Sequence, residues 1–138
     1  MARILIVDDE PAILQTFKLV LESAGYEVTT ADSATDAKQK LADQKFDVVI
    51  TDVRMETSTA GFDVVRAAHQ TSPATPVALL TAFPLPTADW KRAGADAFFN
   101  KGFNVREMLD WIRARLGAAN SNINKSSDRV EKAKRHAS

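Results

Sequence analysis

Residues 4–12 read ILIVDDEPA. Four aliphatic residues run directly into Asp8, Asp9 and Glu10, and Pro11 follows at once. A short continuous apolar run suits a strand buried on both faces, the habit of parallel sheets. A proline just inside a first turn suits the start of a helix. The stretch therefore reads as strand, acidic edge, helix.

The same alternation continues along the chain. Ile13, Leu14, Phe17, Val20, Leu21 and Ala24 have helical spacing, and Gly25 follows them. YEVTTA (26–31) is a second strand. Ser33 is placed to cap a helix reaching about Asp43, with Ala37 and Leu41 facing inward. FDVVITD (46–52) is a third strand, apolar almost to its end. After a polar loop, a helix is expected from about Phe62 to Gln70. TPVALLT (75–81) is a fourth strand. The segment AFPLPTADWKRAGA (82–95) carries two prolines, so any helix in it must be short and start after Pro86. DAFFNK (96–101) is a fifth strand. Asn104 with Glu107 resembles a capping box. It opens a last helix expected to bury Met108, Leu109, Ile112 and Leu116 and to stop at Gly117. Five such units in a row imply an α/β fold, a doubly wound five-stranded parallel sheet with helices on both faces.

Composition bounds the rest. The 138 residues are 45% hydrophobic and 26% charged, with zero formal net charge. That is one domain of ordinary globular make-up, with nothing to suggest a chain that coats nucleic acid or a membrane. The absence of cysteine excludes disulfides and thiol catalysis and fits a reducing cytoplasm. No apolar stretch approaches the roughly 20 residues of a membrane span, and no signal peptide is evident. From Ala118 onward Asn, Ser, Lys and Arg dominate, so the folded domain is expected at 1–117 and a polar, basic, disordered tail or linker at 118–138.

In an open parallel sheet, function gathers at the carboxyl ends of the strands. Strand 1 ends in Asp8, Asp9 and Glu10, strand 3 in Asp52, strand 4 in Thr81 and strand 5 in Lys101. Clustered carboxylates repel one another, and a hard cation such as Mg2+ relieves that repulsion. A lysine and a hydroxyl beside such a site suit an anion with several oxygens, phosphate foremost. Taken singly, each piece has an ordinary reading: DDE as a helix cap, Asp52 as a loop residue, Thr81 as a strand-end hydroxyl, Lys101 and Arg54 as solvated charges, Phe98 as core. Their occurrence together and in order points to a site.

The motifs VDDE, ITDVRM, LLTA and FFNK, with GF at 61–62 and AGAD at 93–96, resemble the receiver domain of two-component response regulators over about residues 3–117. The resemblance implies a flavodoxin-like sheet of order 2-1-3-4-5. It implies Asp52 as phosphoacceptor, Mg2+ as cofactor and a histidine kinase or phosphotransfer protein as phosphodonor. Asp9 would bind Mg2+ directly, Asp8 mainly through water, and Asp52 and the backbone carbonyl of Arg54 would complete the protein ligands. Thr81 and Lys101 would contact the phosphoryl group, and Thr81 with Phe98 would form the switch. Such a domain catalyses its own phosphorylation and dephosphorylation in the cytoplasm. It reads out to an output domain or a second copy through helix 4, strand 5 and helix 5, where Trp90 and Trp111 have no obvious place in the central core and would serve as anchors. A degenerate receiver acting as a phosphorylation-independent interaction module is the alternative.

The sequence departs from the family pattern at four places. Gly102 replaces the proline that usually follows the lysine in a cis bond, and a trans Lys101–Gly102 bond is expected. METSTAG (55–61) lacks the usual proline and is about one residue longer. The segment between Thr81 and AGAD is about two residues short. Phe98 stands where Tyr is commoner.

Overall fold

The computed structural model describes residues 1–82, 87–101 and 105–124. Elements follow in strict alternation: β1 (Arg3–Val7), α1 (Pro11–Ser23), β2 (Glu27–Ala31), α2 (Ala34–Asp43), β3 (Val48–Asp52), α3 (Ala60–Thr71), β4 (Val77–Thr81), α4 (Thr87–Arg92), β5 (Ala97–Asn100) and α5 (Val105–Asn124). All four strand pairs are parallel, and the sheet runs β2-β1-β3-β4-β5. The expected order and fold are borne out.

Alternation along the strands sorts the core. Leu5, Val7, Val49, Val77 and Leu79 pack in one cluster with Ala37 and Leu41 of α2 and Val64, Val65 and Ala68 of α3. Ile4, Ile6, Val48, Ile50, Ala78 and Leu80 are equally buried but belong to the opposite face of the pleat. Phe17 and Leu21 of α1 are buried outside the α2–α3 cluster, and α1 touches β1 and β2. The sheet is thus covered on both sides, which is why its strands read as continuous apolar runs.

The register aligns the strand ends. Val7 pairs with Thr51, Asp52 with Leu80, and Thr81 with Asn100. The residues that close β1, β3 and β4, and Lys101 just past β5, therefore share one edge.

Helix termini follow local chemistry. The Ser33 hydroxyl caps α2 by accepting from Asp36 N–H at 3.0 Å. Gly25 takes φ 97° behind α1, a conformation open to glycine. Two prolines leave α4 only six residues. Its partly buried Trp90 does have a place at the core: it packs against the α2–α3 cluster and stacks on Phe98. That corrects the expectation that Trp90, in the shortened fourth-helix region, has no obvious place in the core.

Met108 and Ile112 of α5 are buried, while Leu109 and Leu116 are partly so. The Arg115 guanidinium lies 5.5 Å from the ring of Trp111, one turn earlier. Gly117 does not end the helix. A glycine stops a helix by taking a left-handed φ, and Gly117 is not among the positive-φ residues, so the helix runs on to Asn124. The capping role of Asn104, the Lys101–Gly102 isomer and the tail from residue 125 lie outside the described residues.

Candidate functional site

The apolar run of β1 carries Asp8 to the sheet edge and buries it fully. Its Oδ1 accepts from Glu10 N–H at 2.9 Å, which bends the chain into α1. Glu10 occupies the N-cap position of that helix, yet its side chain makes no capping bond. It reaches across to the Lys101 ammonium instead, at 2.8 Å. The ordinary reading of DDE as a helix cap fails on this point.

Asp52 closes β3 and is almost fully buried. Its Oδ1 accepts from Val53 N–H at 2.8 Å, and its Oδ2 lies 3.3 Å from Lys101 Nζ. The carbonyl of Asp52 accepts the Thr51 hydroxyl at 2.9 Å. Gly61 is pressed against that same carbonyl: a Cβ there would stand 2.2 Å from the oxygen. This explains the glycine of the GF pair, which permits backbone approach where any side chain would collide.

Lys101 is placed by its own backbone, whose N–H donates to the Thr81 carbonyl at 2.7 Å. Its ammonium touches three carboxylates, Glu10 at 2.8 Å, Asp8 at 3.0 Å and Asp52 at 3.3 Å. With 14% of its side chain exposed, it is no solvated surface charge. Burial works to lower its pKa, but hydrogen bonds to Glu10 and Asp8 and the charge of Asp52 outweigh that, and the net shift is upward. The acids shift upward too. Asp8 is raised by burial, only partly offset by Glu10 N–H and Lys101. Asp52 is raised by burial and by the negative charge of Asp8, against the pull of Lys101.

Asp9, Glu10, Asp52, Arg54, Thr81, Ala82 and Lys101 line a cleft of about 150 Å³ at this edge. Thr81 is buried in its wall, and Asp9 and Arg54 are exposed at its mouth. A larger hollow of about 340 Å³, lined by Lys38, Leu41, Asp63 and Arg66 among others, contains none of the strand-end residues.

The donor set suits a hard cation. Carboxylate oxygens of Asp8, Asp9 and Glu10 come within 4.8 Å of one another. Asp8 Oδ2 is buried and faces the Lys101 ammonium at 3.0 Å. An all-oxygen cluster with one such buried oxygen fits Mg2+. Glu10 stands in this cluster although the sequence reading assigned it no ligand or contact role of its own. Its signal was its place as third acid in an unbroken acidic run.

Glu56 was also missed. From the loop between β3 and α3, its Oε1 accepts from Ala34 N–H at 2.9 Å and its Oε2 from Thr35 N–H at 3.1 Å, at the start of α2. No local pattern connects residues so far apart in sequence. Phe98, expected as a switch aromatic, is partly buried on β5, opposite Leu79 and stacked with Trp90.

The family model described as the response regulator receiver domain matches residues 4–113. The alginate biosynthesis transcriptional regulatory protein AlgB of Pseudomonas putida is 35% identical over 140 residues, 94% of this chain but 31% of AlgB's length. Among solved structures, a CheY-like receiver domain protein from Methanospirillum hungatei gives a TM-score of 0.80 at 31% identity, covering 88% of this chain and 98% of that one. The response regulator TrrA of Thermotoga maritima, solved in complex with Mg2+ and BeF, gives 0.75 at 32% identity over 83% of this chain and 99% of its own. Among the described residues, no helix is long and apolar enough to cross a membrane.

Proposed function

Because the chain belongs to the response regulator receiver domain family, we propose that it is a phosphorylatable switch in which Asp52 accepts a phosphoryl group from a histidine kinase or phosphotransfer protein. The observation that carries this reading is the contact of one buried lysine ammonium with the carboxylates of Asp8, Glu10 and Asp52. A structural lysine needs one such partner. Three acids held against one cation at a strand edge suit a centre that gathers charge for a reaction.

The chain's part in the chemistry follows from the contacts. Val53 N–H fixes one oxygen of Asp52 and leaves the carboxylate to present the other toward the cleft. That oxygen attacks phosphorus, and the new O–P bond forms as the bond to the donor's leaving group breaks, the leaving group taking the bonding pair. Lys101 neutralises charge on the equatorial oxygens, and the hydroxyl of Thr81, a residue of the cleft lining, donates to one of them. Asp8, Asp9, Asp52 and the Arg54 carbonyl would hold Mg2+, with Glu10 beside them, and the ion when bound supplies further neutralisation of phosphoryl charge.

The switch is proposed to pass from Thr81 to Phe98 and its stacked neighbour Trp90, so that α4 and β5 begin the output surface. The partner acting downstream, the cytoplasmic setting and the division into a receiver and a basic tail belong to the same proposal, the boundary expected at 117 falling inside α5, which runs on to Asn124. Incubation with acetyl phosphate and Mg2+, followed by intact mass measurement, tests it. One phosphoryl group is expected on the native chain and none on Asp52→Ala or in excess chelator. Label that survives either change contradicts the assignment.

A further inference from the structure

The loop from Val53 to Thr59 lacks the proline usual in its family, and it is held from both inside and outside. Its ends are tied close to Asp52: Val53 N–H donates to the Asp52 carboxylate, and Gly61 N–H to the Val53 carbonyl at 2.8 Å. Inside, Met55 N–H donates to the Thr57 carbonyl at 3.0 Å, and the Met55 side chain packs on the α2–α3 core. The middle is then pinned from outside, by Glu56 on the first turn of α2.

That first turn is fully accounted for. An α-helix leaves its first N–H groups without intrahelical partners. Here Ala34 and Thr35 N–H donate to Glu56, at 2.9 and 3.1 Å, and Asp36 N–H donates to the Ser33 hydroxyl at 3.0 Å. Ala37 N–H begins the helical ladder on the Ser33 carbonyl. The Thr35 hydroxyl lies 3.5 Å from the same carboxylate. A carboxylate on two amides at a positive helix end is a charge-assisted, two-point attachment. Slight burial works to raise the Glu56 carboxyl, but the N–H groups of Ala34, Glu56 itself and Thr35 outweigh it and hold it below its ordinary value.

We propose that Glu56 is a positioning residue for phosphoryl transfer: its carboxylate latches the β3–α3 loop to the start of α2 and so fixes Arg54 and the mouth of the Asp52 cleft. The proposal rests on Asp52 being the phosphoacceptor. The latch does for this loop what a proline in the loop would do by restricting its backbone. It acts from a distance of 22 residues along the chain, and it touches none of the reacting atoms.

The test compares the full chain with Glu56→Ala, Glu56→Gln and Ser33→Ala. Ser33→Ala loosens the same helix end through Asp36 N–H and leaves the loop contact alone. Acyl phosphate formation from acetyl phosphate with Mg2+ is measured alongside amide exchange at Ala34, Thr35 and residues 53–59. Glu56→Ala should slow phosphorylation about tenfold or more, the scale at which small misplacements act on a positioned nucleophile. Glu56→Gln should fall between it and the native chain, and Ser33→Ala should keep the native rate. A native rate in Glu56→Ala with Ala34 and Thr35 amides deprotected overturns the proposal, and so does equal slowing by Ser33→Ala. If the native chain itself takes no phosphoryl group, the phosphoacceptor reading fails and exchange alone decides the latch. Faster exchange across 53–59 in Glu56→Ala then upholds it, and faster exchange confined to the helix end overturns it.

Discussion

The rings of Trp90 and Phe98 lie stacked, their centroids 6.4 Å apart and their planes 16° from parallel. One belongs to the short α4, the other to β5 opposite Leu79. Any movement of Phe98 therefore changes the surroundings of an indole. Addition of beryllofluoride with Mg2+, a stand-in for the phosphoryl group, should shift the tryptophan emission. The shift should survive Trp111→Phe and vanish in Trp90→Phe and in Phe98→Ala. A shift that persists in Trp90→Phe would assign the signal to Trp111 and remove the stacked pair from the switch.

Lys101 is the cation shared by three carboxylates, two of them buried. Lys101→Met leaves Asp8 and Asp52 without it. Removing one partner of a buried pair costs about 3 kcal/mol or more. Urea unfolding at neutral pH without divalent metal should show a loss of that order in Lys101→Met, with part recovered when Asp52→Asn is added. Additive effects of the two changes would mean that Lys101 and Asp52 do not act on one another.

The upward shifts of Asp8 and Asp52 carry a sign for stability. Their carboxyls bind protons more tightly folded than unfolded, where the ordinary value is 3.8. The folded state is therefore the more protonated between 3.8 and the raised values, and stability from these groups falls as pH rises through that window. At neutral pH both acids cost stability, which is the usual burden of a charged functional site. Asp52→Asn should melt a few degrees higher than the native chain in metal-free buffer at neutral pH, with the difference shrinking on acidification. A lower melting point in Asp52→Asn would mean that attraction to Lys101 outweighs burial.

Two glycines should respond in opposite directions. A Cβ on Gly61 would meet the Asp52 carbonyl oxygen at 2.2 Å and Val53 Cα at 2.7 Å, both backbone atoms that cannot swing aside. Gly61→Ala should cost about 3 kcal/mol and slow phosphorylation at Asp52, because relief of the clash moves the loop that carries the site. Gly117 has nothing within 4 Å of an added Cβ and lies inside α5. Gly117→Ala should gain about 0.5–1 kcal/mol, the helix-interior preference for alanine. Thermal unfolding of both variants checks the pair.

Most of the sheet was legible because each strand is a short apolar run closed by a polar residue, and the shortness and β-branched content of ILIV and VVIT favour a strand buried on both faces over a helix. Strand-end placement then brought Asp8, Asp9, Asp52, Thr81 and Lys101 to one edge, as the order of motifs required. What stayed hidden depends on tertiary contact. Glu10 sits where an N-cap belongs, and only the approach of Lys101 from β5 draws it away. Glu56 caps a helix that precedes it by some twenty residues, beyond any local signature. Trp90 looked unplaced because the partner of its ring, Phe98, comes from the next strand. Gly117 looked like a stop because composition marks glycine as a breaker, whereas its φ stays outside the left-handed region.

In the proposed reaction the Asp52 side chain itself carries the phosphoryl group. An acyl phosphate is reduced by borohydride to the alcohol, which converts the phosphorylated aspartate to homoserine and leaves free carboxylates unchanged. The chain, treated with acetyl phosphate and Mg2+, trapped with borohydride and mapped by peptide mass, should show homoserine at position 52 and nowhere else. Homoserine at Asp8 or Asp9, or a phosphorylated chain with aspartate intact at position 52, would contradict the account.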